Sequence, residues 1–478
     1  MKRSLIVVCM SAWLAACASS PPASIPPGDI PDQFDQAVDS TAPLWPSQTW
    51  WLGFGDPQLN ELIARAQSDN WDLYQAIARV RQADARARQA GAAFLPAVDL
   101  KANSTSLYGR SHGLSDHETD YGAAVGVSYD LDFWGKHRDA MDAAESSWRA
   151  TQAERATVAL TVTAAVATTY FQLLAVEEHL ETIEENVKAS EAIVDVVQRR
   201  VDAGYSASSD LTQQRVNLAA QRAAVPALEQ QVLELRGALA VLVGVAPERL
   251  NLRADRLSSV QAPAVRPGLP SELLTRRPDL VSAESALSAA HADVSLARKA
   301  YLPDISLTAS GGVAYPAMAA AVNTLPGFGL AASAGAALTQ TIFDGGRTQN
   351  KIDESYAREQ ELLGAYRAAV LNAFADVENA LGRIVHLSAQ ESALADQVEQ
   401  SQRVLRSAQL RYMTGAADFL VIADAQRSLY GAQDQLADVR QAHLGSIVTL
   451  YKALGGGWDA YSGLDSASEG APDGPTPP

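Results

Sequence analysis

The residues that could do chemistry are few and scattered in this 478-residue chain. Its seven histidines are His112, His117, His137, His179, His291, His386 and His443. Only His112 and His117 lie close together, with Asp116 and Glu118 beside them. Such a set could ligate a metal, but its place between two alternating segments reads more simply as a solvated, extracellular loop. No serine sits in a nucleophile elbow, and no glycine-rich loop ends in the Lys-Ser/Thr of a phosphate-binding loop. Gly345-Gly346 and Gly455-Gly456-Gly457 read as turn and helix-end glycines. No catalytic residue, metal site or enzymatic activity is expected. One further constellation stands out: Leu420 and Asp424 are i,i+4 neighbours, and Asp424 and Arg427 are i,i+3, so one helix face presents all three.

The two cysteines carry a different chemistry. Lys2 and Arg3 form a positive start, and Ser4 to Leu14 an apolar run too short for a membrane-spanning helix, which needs ~20 residues. The run ends in Leu14-Ala15-Ala16-Cys17, which resembles the bacterial lipobox. That motif implies a signal peptide over residues 1–16, cleaved before Cys17. A diacylglycerol thioether on the Cys17 sulfur and an acyl group on the new amine would follow. Two or more acyl chains anchor stably where one is marginal. Ala18, rather than Asp, follows the cysteine and implies outer-membrane sorting. Cys9 leaves with the signal, so neither a disulfide nor a cysteine metal site is open to the mature chain. The lipid is the only non-protein group expected. Residues 17–45 begin Pro/Ser-rich and read as a tether, and 457–478 as a disordered acidic tail.

Acidic residues outnumber basic ones 55 to 38 without a basic cluster, which excludes a nucleic-acid partner. The chain is internally duplicated. Ala93-Phe94-Leu95-Pro96 recurs as Ala300-Tyr301-Leu302-Pro303, 207 residues on. Phe133-Trp134-Gly135-Lys136 recurs as Phe343-Asp344-Gly345-Gly346-Arg347, 210 on, and Arg200 to Gly204 as Arg411 to Gly415, 211 on. Gly244 and Gly455, again 211 apart, close the copies, which span 46–244 and 270–456 around a connector at 245–269. Each copy predicts the same elements. A moderate helix (Leu59–Ala93; Pro270–Ala300) stops at Pro96 or Pro303. Two alternating segments follow, then a very long helix (136–202; 346–412), a glycine turn, and a second moderate helix (208–243; 418–454).

The alternation has period two. Val98, Leu100 and Ala102 oppose Asp99, Lys101, Asn103 and Thr105; Tyr121, Ala123, Val125, Val127, Tyr129, Leu131 and Phe133 oppose small and polar residues. Ile305, Leu307 and Ala309 form the third apolar face, and Phe328 to Ile342 the fourth alternating run. Segments of ~10 such residues suit membrane strands with one face to lipid and one to a wet lumen, although a half-buried soluble sheet shares the pattern. Tyr121, Phe133, Phe328 and Phe343, at the expected strand ends, would form interfacial girdles. Four strands cannot close a barrel, because the smallest membrane barrels use about eight, and an open edge in lipid leaves peptide groups unpaired. Spanning strands therefore demand oligomerisation, and a trimer supplies twelve.

The long helices, about 67 residues at ~1.5 Å per residue, reach roughly 100 Å. Val158, Val162, Ala165, Thr169, Leu173, Val176, Leu180, Ile183 and Val187 step by threes and fours, as do Val370, Phe374, Val377, Leu381 and Ile384. That is a coiled-coil seam rather than a helix buried all round. The fold class is thus mainly α with transmembrane β.

Four segments carry a family resemblance: Trp50 to Leu59 (WWLGFGDPQL), Leu269 to Leu280 (LPSELLTRRPDL), Ile342 to Arg347 (IFDGGR) and Leu420 to Leu429 (LVIADAQRSL). The chain resembles the TolC-like outer-membrane factors, in their lipoprotein (NodT/OprM-like) branch, which serves multidrug efflux pumps. The resemblance implies a homotrimer with a 12-stranded outer-membrane β-barrel, a periplasmic α-helical barrel and an equatorial domain. The implied function is an exit duct of a tripartite efflux or secretion system, working with a periplasmic adaptor protein and an inner-membrane pump driven by protons or ATP. In that family the positions of Leu420, Asp424 and Arg427 form the periplasmic gate: a leucine ring, an aspartate ring and a closing ion pair. The turns at Arg200 to Gly204 and Arg411 to Gly415 resemble the docking sites of the adaptor's hairpin tips. A periplasm-spanning structural lipoprotein without a pore is the competing reading, and ion conductance separates the two.

Overall fold

In a computed structural model the described residues are 33–34, 45–111, 114–253, 256–263, 270–315 and 329–458. Cys17, the expected tether apart from residues 33, 34 and 45, most of the acidic tail, His112 and Phe328 lie outside them. The chain divides into two compact units, one of residues 79–151 and 283–366 among the described positions, the other of 33–34, 45–78, 152–282 and 367–458.

The first unit holds four antiparallel strands, β1 (Ala97–Ser111), β2 (Leu114–Leu131), β3 (Asp304–Tyr315) and β4 (Gly329–Thr339), in the order β1-β2-β3-β4. Their register carries the alternation across the whole sheet. Leu100 stands opposite Val125, Val127 opposite Ala309, and Leu307 opposite Ala336. Directly opposed residues share a face. One face therefore collects Val98, Leu100, Val125, Val127, Leu307, Val313, Leu330 and Leu338, and the other Asp99, Lys101, Ser128, Ser306, Thr308 and Ser333. The apolar face is uncovered: Leu100 is 77% and Leu330 84% exposed.

Two expectations are corrected here. Asp116, His117 and Glu118 belong to β2, paired in register with Gly109, Tyr108 and Leu107, and are not in a loop. The expected strand ended where its apolar face ended, but backbone pairing of β1 with β2 continues beyond it to Ser111 and Leu114. For the same reason Tyr121 is not at a strand end. It sits inside β2, opposite Tyr315, the last described residue of β3.

Helices leave and enter this unit through capped turns. Asp132 accepts from the backbone N–H groups of His137 and Arg138 at the start of α3, which runs Lys136–Asp202. Asp344 does the same for Gly346 and Thr348 at the start of α7, Arg347–Met413. Trp134 Nε1 donates to the Pro303 carbonyl at 2.9 Å, and Lys299 Nζ lies 2.7 Å from Asp139 Oδ2.

Helices make up the second unit and also contribute segments to the first. Two helices, α1 (Pro57–Asp69) and α2 (Trp71–Ala92), replace the single expected helix over Leu59–Ala93. The break is Asn70, whose extended backbone (ψ 128°) starts a new helix while its side chain caps Asp72 and Leu73 and donates to the Leu242 carbonyl. Pro270–Ala300 is likewise split, into α5 (Pro270–Arg276) and α6 (Pro278–Lys299). Pro278 disfavours helical backbone at Arg277 and supplies no N–H. The other helices follow the expected spans: both α3 and α7 have 67 residues, and α4 (Ser208–Val243) and α8 (Phe419–Ala453) have 36 and 35. Pro226 lies inside α4 without ending it.

Asp56 caps α1 through Gln58 and Leu59 and accepts the Tyr170 hydroxyl at 2.8 Å. Gln58 donates to Tyr170 and to the Arg253 carbonyl and accepts from the Arg253 N–H. Phe54 packs on Phe171, and Trp50 stacks on Tyr451 at 5.0 Å. Around this core the seam reading of α3 fails. Val162, Val166, Ala167, Tyr170, Phe171, Leu173 and Leu174 are all buried, so the helix is enclosed around most of its circumference there. In α7 the seam holds, with Val370, Phe374, Val377 and Leu381 buried.

Candidate functional site

The two long helices end in the same way. At the close of α3 the N–H of Tyr205 bonds the Arg200 carbonyl and the N–H of Gly204 the Val201 carbonyl; at the close of α7 Ala416 and Gly415 bond Arg411 and Tyr412. This paired closure needs a left-handed residue, and Gly204 and Gly415 both stand at φ 77°. Each turn leads straight into the next helix. Behind the turns Ile193 and Val197 of α3, Leu211 of α4, Leu405 and Tyr412 of α7, and Phe419, Ile422 and Leu429 of α8 share one apolar cluster.

That cluster orients α8. Its first turns bury Phe419, Ile422, Ala423, Ala425, Gln426 and Leu429, which leaves Leu420 73% exposed and Asp424 and Arg427 beside it. The three expected gate residues therefore share one outward face. Arg427 Nη1 lies 3.7 Å from Asp424 Oδ1, with both side chains about three-quarters exposed. In one isolated chain such a pair contributes a few tenths of a kcal/mol.

The expected docking residues are not equivalent. Arg411 is exposed and donates to the Ala416 carbonyl of its own turn, at 3.4 Å. Arg200 is half-buried and reaches the other turn: Nη1 donates to the carbonyls of Tyr412 (2.6 Å) and Met413 (3.2 Å), and the guanidinium lies 4.6 Å over the Tyr412 ring. The Tyr412 hydroxyl meets Ser206 Oγ at 2.9 Å. Arg200 thus places a cation on the last carbonyls of α7 while it joins the two turns.

Several polar ties were not singled out in the sequence. Arg277 of the Arg-Arg-Pro-Asp motif forks onto Asp279 (3.0 and 2.7 Å) and reaches Asp376 Oδ2 at 3.0 Å. The motif is a clamp at the break before α6. Histidines that looked scattered pair with carboxylates on neighbouring helices: His179 with Asp434 at 2.7 Å, and His443 with Glu391 at 2.9 Å. The hydrogen bond that the His179 ring donates to Asp434 holds the His179 pKa above its ordinary value, against the opposing effect of burial. Spacing along one helix could not reveal these pairs, because each partner lies on a different helix.

A family profile described as "Outer membrane efflux protein" matches residues 62–245 and 269–456. The chain belongs to the outer membrane efflux protein family. It is 37% identical over 474 residues to the pyoverdine export outer membrane protein OpmQ of Pseudomonas putida, an alignment covering 97% of this chain and 99% of OpmQ. It is 29% identical to the cation efflux system protein CusC of Escherichia coli, covering 95% of this chain and 99% of CusC. The crystal structure of the open state of the Neisseria gonorrhoeae MtrE outer membrane channel superposes with a TM-score of 0.81 at 28% identity, over 92% of this chain and 98% of MtrE. This efflux protein is accordingly an outer-membrane channel and not an enzyme. Its four-stranded sheet and long helices are the family's fold.

Proposed function

We propose that this chain is the exit duct of a tripartite export system, assembled from three copies and anchored by lipid on Cys17. The observation that carries the reading is the sheet: an exposed apolar face continuous over four strands, with β1 and β4 each paired on one side only among the described residues. In hydrocarbon each open edge would leave unpaired peptide groups at several kcal/mol apiece, so β4 of one copy must meet β1 of the next. Three copies close twelve strands. The duplicated organisation, 46–244 and 270–456 around an equatorial connector at 245–269, supplies the same elements twice to the helical part of the duct.

Cargo crosses by passive conduction, and energy comes from an inner-membrane pump, proton- or ATP-driven, coupled through a periplasmic adaptor. The likeness to OpmQ, named for pyoverdine export, supports a siderophore or another small molecule such as a drug as cargo. The adaptor docks at the turns of Arg200–Gly204 and Arg411–Gly415, where Tyr205, Leu410 and Met413 are exposed apolar residues. Leu420, Asp424 and Arg427 gate the periplasmic end. Under threefold symmetry the outward leucine becomes an apolar constriction and the aspartate a ring of carboxylates.

The test is conductance. In planar bilayers the double variant Leu420→Ala, Asp424→Ala raises single-channel conductance over that of the parent protein. Equal conductance would remove these residues from the gate, and no conductance from either protein would remove the duct.

A further inference from the structure

Behind the exposed stripe of α8 lies a polar layer that neither the fold nor the gate uses. Ser190 of α3 and Gln214 of α4 are fully buried, and Gln426 of α8 is 2% exposed. Ser190 Oγ donates to Gln221 Oε1 at 3.0 Å and meets the Tyr430 hydroxyl at 3.4 Å. Gln426 Nε2 donates to Ser190 Oγ and to the Tyr430 hydroxyl, each at 3.4 Å, and Gln214 Nε2 donates to the Ser190 carbonyl at 3.4 Å. The amide nitrogens are thus engaged, most of them at the long end of hydrogen bonding. The amide oxygens are not: Gln214 Oε1 and Gln426 Oε1 are buried without a partner.

The layer replaces apolar residues at core positions. Gln426 lies four residues after Ile422 and three before Leu429, Gln214 three after Leu211, and Ser190 three before Ile193; those four apolar residues belong to the buried cluster. A polar residue at a single core position of a coiled coil gives up stability and sets register. A buried acceptor left unpaired carries its whole desolvation cost, and that cost falls only on the arrangement in which it is unpaired. Any shift of α8 that lets water or a donor reach the two oxygens recovers it. Elements that switch between packings need this kind of small gap between states.

We propose that Ser190, Gln214 and Gln426 form a release layer, which weakens the packing of α8 on α3 and α4 so that α8 can move at small cost. The two glutamines are positioning residues: they act on Leu420, Asp424 and Arg427 through the opposite face of the same helix. The functional consequence rests on the gate reading of those three residues; the loosening of α8 does not.

The experiment uses the full-length protein with Gln214→Met, Gln426→Met and both together, changes that keep side-chain length and remove the unpaired oxygens. Amide hydrogen exchange over residues 419–430 reads the release of α8, and bilayer conductance reads the gate. The double variant is expected to slow exchange in that segment by about tenfold or more and to raise the thermal midpoint. The fraction of time in the high-conductance state should fall several-fold. Slower exchange with unchanged conductance supports the release layer and sinks the gate reading instead. Unchanged or faster exchange overturns the proposal, whatever Leu420→Ala, Asp424→Ala does to conductance. A double variant that fails to fold, with each single variant less stable than the parent, overturns it too, because the layer would then be an ordinary stabilising network.

Discussion

Arg200 holds three features of the other turn at once, the Tyr412 carbonyl, the Met413 carbonyl and the face of the Tyr412 ring, and its Nε donates to Ser206 Oγ at 3.4 Å. Arg411 occupies the matching place in the second copy and bonds only within its own turn. The difference comes from the partner, since the first copy carries Val201 where the second carries Tyr412. Charge-assisted hydrogen bonds of a half-buried group contribute about 1.5–3 kcal/mol. Arg200→Ala is therefore expected to destabilise the protein by about that amount and Arg411→Ala by no more than ~0.5 kcal/mol. Arg200→Lys should recover only part of the loss, because an ammonium lacks the planar fork. Denaturant titration of the purified variants checks all three, and equal losses at positions 200 and 411 would refute the clamp. The sequence placed both arginines in one role because spacing records position along the chain and not which turn lies across from it. The shared helix face of Leu420, Asp424 and Arg427 was legible for the opposite reason: i,i+3 and i,i+4 spacing is itself helix geometry.

At the scale of elements, the long helices, their turns and the strand faces followed from period and punctuation. What escaped were the breaks at Asn70 and Arg277, where a side-chain cap and a proline start a new helix within an unbroken apolar pattern. Glycine turns, too, look alike in sequence and differ in surroundings. A Cβ on Gly455 would lie 2.0 Å from the Arg276 carbonyl oxygen and one on Gly244 2.2 Å from that of Asp69, whereas nothing lies within 4 Å at Gly204 or Gly415. All four have positive φ, so alanine costs about 1–2 kcal/mol at each from backbone strain alone. At Gly244 and Gly455 the clash with main chain adds to it. Gly415→Ala should fold with a modestly lower thermal midpoint, and Gly455→Ala should yield little folded protein. A Gly455→Ala protein as stable as Gly415→Ala would show that the break beside Arg277 can yield.

For the whole molecule the question is which side of the sheet meets lipid, because one chain shows only that the two faces differ. Leu307 and Thr308 are neighbours in β3, both exposed, and they point to opposite faces. An arginine on a lipid-facing strand position costs about 2–4 kcal/mol at mid-bilayer, while a lumen position tolerates charge and tunes conduction. The apolar face carries Leu307, so Leu307→Arg should cut the amount of assembled protein extracted from the outer membrane. Thr308→Arg should leave assembly intact and shift conductance and ion selectivity, by adding a ring of three positive charges to the lumen of a trimer. The reverse pattern would turn the sheet inside out. Loss of assembly in both variants would mean that both faces are buried against protein, and a barrel shared between copies would then be untenable. The strand count already required neighbouring copies, since four strands leave two edges open; it could not say how many. Lumen charge answers that part as well, since the number of copies sets how many charges one substitution adds and therefore how far selectivity moves.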